Sequence, residues 1–252
     1  MTKDKIGTLG IVIATYNEAS NLPGLINELM RAPIPTDSRL YIIDDNSPDG
    51  TSDVALSMAK KYKLFVTTRP SKLGLGSAIK NGIVRALKDG CSHILTMDAD
   101  FSHSPKDVPR LLEAMRSTDV DVIQGSRFIS GGRIVGLRWY RRVQSYVANF
   151  LCRWCLGAPR EATTNFRVYN RRCAELIINE SRSKDFEFQP ESILIAMRHG
   201  LAIREIPVVF LARLHGTSKI RGRHYIRWGM FFLFALISIR FGIGRFAKIK
   251  PP

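Results

Sequence analysis

The chain has 252 residues, 45% of them hydrophobic, with 38 Lys and Arg against 22 Asp and Glu and a formal net charge of +16. That apolar content supports a real core, in one large domain or one and a half ordinary ones, and four cysteines do not suggest a disulfide scaffold. The charge favours a polyanionic partner: nucleic acid, an anionic membrane surface or a phosphorylated substrate. The opening MTKDKIGTLG lacks the apolar stretch of a signal peptide, so exposure to the cytoplasm is expected.

In chain order, residues 9–14 (LGIVIA) read as a buried strand, followed by a helix over 20–31 capped by Ser20 or Asn21. Residues 40–44 (LYIID) are a second strand, and NSPDGTSD is turn chemistry before a helix over 51–62. Residues 64–68 (LFVTT) form a third strand, a helix follows over 75–88, and 93–97 (HILTM) form a fourth. Ser104-Pro105 then makes the cap and first turn of a helix reaching about 116, before a fifth strand over 120–125.

The second half is less regular. Residues 126–136 are a glycine-rich loop holding Arg127 and Arg133, and 139–157 are an amphipathic helix with basic and aromatic residues. A strand is expected over 165–171, a helix over 189–199 and a strand over 201–210, with Pro207 marking an edge or an end. A basic loop then leads into the apolar run 229–239. That run is short against the ~20 residues a span needs. Its flanks, Arg227, Trp228, Arg240 and Arg245, favour a helix lying in a membrane interface over a buried core helix.

Strands alternating with helices predict an α/β fold: a mostly parallel sheet with helices on both faces. Ligands of such sheets bind beyond the carboxyl ends of the strands. There the chain places Thr15-Tyr16-Asn17-Glu18 after the first strand, Asp44-Asp45-Asn46 after the second and Asp98-Ala99-Asp100 after the fourth. Alternate residues of an extended chain share a side, so Asp98 and Asp100 face one ligand. Oxygen donors at such an edge suit Mg²⁺ or Mn²⁺, with Ser102 continuing the spacing as a third ligand. His103 is one step off and belongs to the turn before the next helix.

Other signals are weaker. Asp49 reads as a helix cap, Asp45 as a ligand contact, and Glu18 as either a ligand contact or a first-turn acid. The GLG at 74–76 fails as a dinucleotide fingerprint, because position 79 is Ile, and leaves only a helix opening toward a phosphate. Cys152 and Cys155 form a lone CxxC inside an apolar helix and read as packing.

Together, ATYNE (14–18), DDNSPDGT (44–51), KLGLGSAI (72–79), MDADFSH (97–103), GSR (125–127), TNFRVYNR (164–171), FEFQPE (186–191) and RLHGTSK (213–219) resemble the dolichyl- and polyprenyl-phosphate mannose synthases, inverting family 2 glycosyltransferases of GT-A type. The resemblance covers nearly the whole chain. It implies a GT-A catalytic domain over 1–222, including the amphipathic helix near 139–157, and a C-terminal membrane-interface segment over 223–252; both the 139–157 helix and the apolar run 229–239 are expected at the membrane interface, near the lipid tail. It implies transfer of mannose from GDP-mannose to a polyprenyl (dolichyl) monophosphate, or, within the same family, of glucose from UDP-glucose. By that resemblance Ala14, Tyr16, Glu18, Ile43 and Asp45 touch the nucleotide, while Asp98, Ala99 and Asp100 hold the diphosphate through Mg²⁺ or Mn²⁺, with Ser102 at the third metal position. Arg127, Arg213 and Lys219 meet phosphates of donor or acceptor, and Arg127 joins Asp98 and Asp100 as a catalytic residue. Relatives often carry Pro where this chain has Ala14, and some carry Gln where it has Ser102. The implied location is the cytoplasmic side of a membrane, on its surface or beside a membrane-anchoring protein subunit.

Two readings of other classes explain less. A nucleic-acid-binding protein fits the charge but leaves the acids after three strands without a task. A phosphatase with Asp98 as nucleophile predicts a covalent aspartyl-phosphate and no sugar transfer.

Overall fold

The computed structural model describes residues 6–213 and 222–249. The first half follows the expected alternation: β1 (Leu9–Thr15), α1 (Leu22–Arg31), β2 (Arg39–Asp44), α2 (Thr51–Ala59), β3 (Leu64–Thr68), α3 (Leu75–Lys88), β4 (His93–Asp98), α4 (Val108–Ser117) and β5 (Val122–Ser126). Pro105 opens a single 3₁₀ turn before α4, and the Ser104 hydroxyl accepts from the Lys106 amide.

The second half departs from expectation in three places. The glycine-rich loop contains a short strand, β6 (Arg133–Val135), and the expected 201–210 strand is two, β8 (Ile203–Pro207) and β9 (Val209–Leu211). Pro207 has no amide hydrogen to continue a ladder, so the chain leaves the main sheet there and β9 pairs with β6 in a separate two-stranded sheet. Between α5 (Trp139–Leu156) and α7 (Phe188–Arg198) lie β7 (Arg167–Asn170) and an unforeseen helix, α6 (Arg171–Glu180). Asn170 starts α6 by accepting from the Cys173 amide. The last helix, α8, runs Gly222–Phe241 and is longer than the apolar run that announced it.

The main sheet has seven strands in the order β3-β2-β1-β4-β7-β5-β8. Only β7 is antiparallel to its neighbours, so the sheet is mostly parallel. Alternation along each strand feeds two cores. Val12, Tyr41 and Ile43 face the layer of α3, α6 and α7. Ile11, Ile13, Leu40 and Ile42 face the layer of α1 and α4. Gly82 lets α3 lie close on the sheet, since a Cβ there would stand 2.4 Å from Val12 Cγ1. The C-terminal segment joins the first core through Ala235, Ile239, Phe246 and Ile249. Among the described residues, no helix is long and apolar enough to cross a membrane.

Candidate active site

Register brings the site together. Ala14 at the end of β1 is level with Ile43 on β2 and with Asp98 on β4. The chain then turns sharply beyond each strand, with Asn17, Asn46 and Phe101 all at positive φ (56°, 55° and 61°). Asparagine adopts this conformation readily; phenylalanine does not, and such strain persists where surrounding packing enforces it. The Phe101 ring lies against Gly24 of α1, where an added Cβ would be 3.2 Å away.

A cleft opens at these strand ends, about 710 Å³ counted out to solvent. Ala14, Tyr16, Glu18, Asp45, Asp98, Ala99, Asp100 and Arg213 line it, so most residues expected at the site converge on one space. Lys72, Asp185, Phe186, Gln189 and His224 are also in the wall and were not singled out one by one in the sequence. For Lys72, Phe186 and Gln189 the signal was present, since they fall in KLGLGSAI and FEFQPE. Asp185 and His224 had none.

The acids are held differently. Asp44 is a structural hub: Thr15, Ser47 and Ser52 donate to it. Asp45 pairs with buried Arg69 and accepts from the Leu73 and Gly74 amides, each at 3.2 Å. At the next wall, Asp100 accepts from the Ser102 amide at 3.0 Å and pairs with Arg213 Nε at 2.8 Å. Asp98 accepts from Asn165 at 3.2 Å. Lost solvation, opposed by His103 and aided by Asp100, pushes the Asp98 carboxyl above its ordinary value. Burial pulls His103 below its ordinary value, against the pull of Asp98 and Asp100. His103 sits in the turn, stacked on Phe166, with Nδ1 3.8 Å from Asp98.

Three expected positions lie elsewhere, and a fourth falls outside the described residues. Ile43 is buried beneath Gly82 of α3, off the cleft. Ser102 is 2% exposed and does not line the cleft, because positive φ at Phe101 ends the alternation begun at Asp98. Arg127 forms a buried bidentate pair with Glu161, both oxygens at 2.7 Å, and lies over Phe210. Burial would raise the Glu161 carboxyl, but Arg127, Arg167 and the Thr163 amide outweigh it and hold it below its ordinary value. Lys219, with the 214–219 part of its motif, is outside the described residues.

As expected, α3 opens at the cleft, with Gly74 at its N-cap, and the glycines at 74 and 76 have a packing task as well. A Cβ on Gly74 would stand 2.4 Å from the Lys184 carbonyl oxygen, and one on Gly76 would stand 2.6 Å from Phe188 Cβ. They admit the 184–188 segment against the start of α3, where Ser77 N donates to Lys184 O at 3.0 Å. Helix α8 fastens that segment from the other side. His224 Nε2 is 3.2 Å from Asp185 and Arg227 Nε is 2.7 Å from Glu187; beyond α8, Arg245 stands 2.8 Å from buried Glu191 of α7.

A mostly parallel sheet with a cleft at its carboxyl edge, and Asp98 and Asp100 on the cleft wall, is the architecture of the GT-A glycosyltransferase fold. The profile of glycosyl transferase family 2 matches residues 10–179, and the chain belongs to that family and is a glycosyltransferase. It is 36% identical to the polyprenol monophosphomannose synthase of Mycolicibacterium smegmatis, over 88% of this chain and 83% of the relative. It is 34% identical to the undecaprenyl-phosphate mannosyltransferase of Micrococcus luteus, over 92% and 98% of the two chains. In fold it matches glucosyl-3-phosphoglycerate synthase from Mycobacterium tuberculosis, solved with Mn²⁺, UDP and glucosyl-3-phosphoglycerate, with a TM-score of 0.66 at 15% identity over 97% of this chain and 81% of that one.

Proposed function

We propose that the enzyme transfers mannose, with inversion, from GDP-mannose to a polyprenyl monophosphate, releasing GDP. The carrying observation is the cleft itself: Asp98 and Asp100 stand on one wall, Tyr16, Glu18 and Asp45 on the adjoining strand ends, and Arg213 reaches Asp100. The two mannosyltransferase relatives support the sugar and the lipid phosphate.

Ala14, Tyr16, Glu18 and Asp45 take the nucleoside end of the donor. Asp98, Ala99 and Asp100 take the diphosphate end. The donor set fits Mg²⁺ or Mn²⁺: Asp98 and Asp100 present carboxylate oxygens, hard donors, to the cleft. When bound by Asp98 and Asp100, such an ion neutralises charge on the departing nucleoside diphosphate. Arg213 and Lys219 are assigned to phosphates, where a guanidinium gives bidentate contact. Arg127 keeps Glu161 and the Thr163 turn in place instead.

The acceptor needs little help from a base. A phosphate monoester has a second pKa of about 6, so its oxygen is already anionic near neutral pH. It attacks the anomeric carbon in line with the leaving diphosphate oxygen. The histidine beside the acid pair, His103, is 2% exposed and is not asked to take a proton. Residues 1–222 do this chemistry, and 223–252 keep the enzyme on the cytoplasmic face of a membrane, where a lipid tail can stay.

The test is incubation of the purified protein with radiolabelled GDP-mannose and a short polyprenyl phosphate, with Mg²⁺ or Mn²⁺. A labelled lipid is expected. Label from UDP-glucose and none from GDP-mannose would overturn the mannosyl reading.

A further inference from the structure

The positive charge is concentrated in two stretches. Residues 128–160 hold six arginines and no acid, and residues 206–252 hold nine Lys or Arg and no acid; the rest of the chain holds 23 bases against 22 acids. Nearly all of the net +16 therefore belongs to these two segments. The fold packs their helices together: Arg141 donates to the Tyr225 hydroxyl at 2.7 Å, and that hydroxyl donates to Gln144 at 3.1 Å.

Both helices turn apolar residues outward. On α5 these are Trp139, Val143, Tyr146, Val147, Phe150 and Trp154. On α8 they are Ile226, Met230, Leu233, Phe234, Ile237 and Phe241. In each set the later residues follow the first by 4, 7, 8, 11 and 15 positions, the spacing of one helical face. The core is served by other residues, Cys152 and Leu156 on α5, Ala235 and Ile239 on α8. Every side chain of the two outer stripes is between 39% and 77% exposed, an extended apolar surface of a kind that marks an interaction site. Exposed Arg138, Arg153, Arg240 and Lys248 accompany it.

We propose that α5 and α8 form one two-helix surface that docks on an anionic lipid bilayer. The apolar stripes enter the boundary between headgroups and acyl chains, and the arginines meet anionic headgroups. The inference rests on the lipid-phosphate reading above and adds the surface itself: α5 and α8 packed side by side, with both stripes facing outward and the exposed arginines beside them selecting anionic lipid. A nucleic acid would answer the charge and leave both stripes in water.

The test is co-sedimentation of the full chain with vesicles of phosphatidylcholine alone or with one third phosphatidylglycerol, at low and high salt, with single-stranded RNA as competitor. Anionic vesicles are expected to bind at least about tenfold more tightly, and less so in high salt. The double variant Arg153→Gln/Arg240→Gln is expected to lose about 25-fold on anionic vesicles, some fivefold per arginine, with an unchanged melting temperature. Phe150→Ser/Ile237→Ser is expected to weaken binding to both vesicles. Equal binding to both lipids, indifference to the arginine changes, or displacement of the protein from anionic vesicles by RNA would overturn the proposal. Transfer to a short, water-soluble prenyl phosphate without vesicles reads the catalytic assignment separately. It should survive the arginine changes, and its loss in the wild type would count against the mannosyl reading, not against the docking surface.

Discussion

Asp100 sits between an amide and a guanidinium: Ser102 N and Arg213 Nε both point at its carboxylate. Asp100→Ala should therefore leave the fold largely intact and lower kcat/KM at least about 100-fold, checked by transfer kinetics beside a melting curve. Full retained activity would remove this acid from the diphosphate site. Glu161 presents the opposite case. It is fully buried and clasped by Arg127, so Glu161→Gln strands a buried guanidinium and should cost about 3 kcal/mol, read from urea unfolding. Both acids are buried and paired with an arginine; access to the cleft separates them, since Asp100 and Arg213 line it and Glu161 and Arg127 do not.

At the scale of elements, the glycines of α3 and α8 make contrasting predictions. Gly76→Ala drives a methyl into Phe188 and the Asp185 carbonyl, so it should destabilise the protein and raise the KM for donor by shifting the 184–188 wall. Gly229 lies inside α8 with nothing within 4 Å of an added Cβ, so Gly229→Ala should stabilise by up to about 1 kcal/mol in urea unfolding. The alternation of β1 through β5 with their helices was legible, because parallel strands covered on both faces are continuous apolar runs. Helix α6 was not legible, since its inward residues (Cys173, Ala174 and Ile177) are few and small. Nor was the break at Pro207 legible as two strands, since only pairing partners distinguish a strand that ends from one that changes sheets.

For the whole molecule, acid stability follows from two buried carboxylates. Glu161 and Glu191 are both opposed by burial, yet held below their ordinary 4.5, the first chiefly by Arg127 and the second by Ser181, two loop amides and Arg245. A depressed folded pKa adds stability above the unfolded value and loses it as pH falls through the folded one. Urea midpoints should therefore hold at neutral pH and fall from about pH 5 downward, with a shallower fall in Glu161→Gln. A midpoint that rises on acidification would contradict both pairs.

The chain by itself determined the fold class, the edge of the sheet that carries the site, and the acids that line it, because strand-end residues are fixed by the same apolar runs that fix the strands. It also determined that basic charge gathers near apolar helices. Only the tertiary structure decided which of the expected residues reach the cleft. Positive φ at Phe101 turned Ser102 inward, Glu161 withdrew Arg127, and the layer of α3 covered Ile43. It alone brought Asp185 and His224 to the wall, 39 positions apart in sequence, and set the stripes of α5 and α8 side by side. The physical reason is common to all of these. Periodicity records which way a side chain leaves its own element, whereas access, pairing and charge depend on what another element places in front of it.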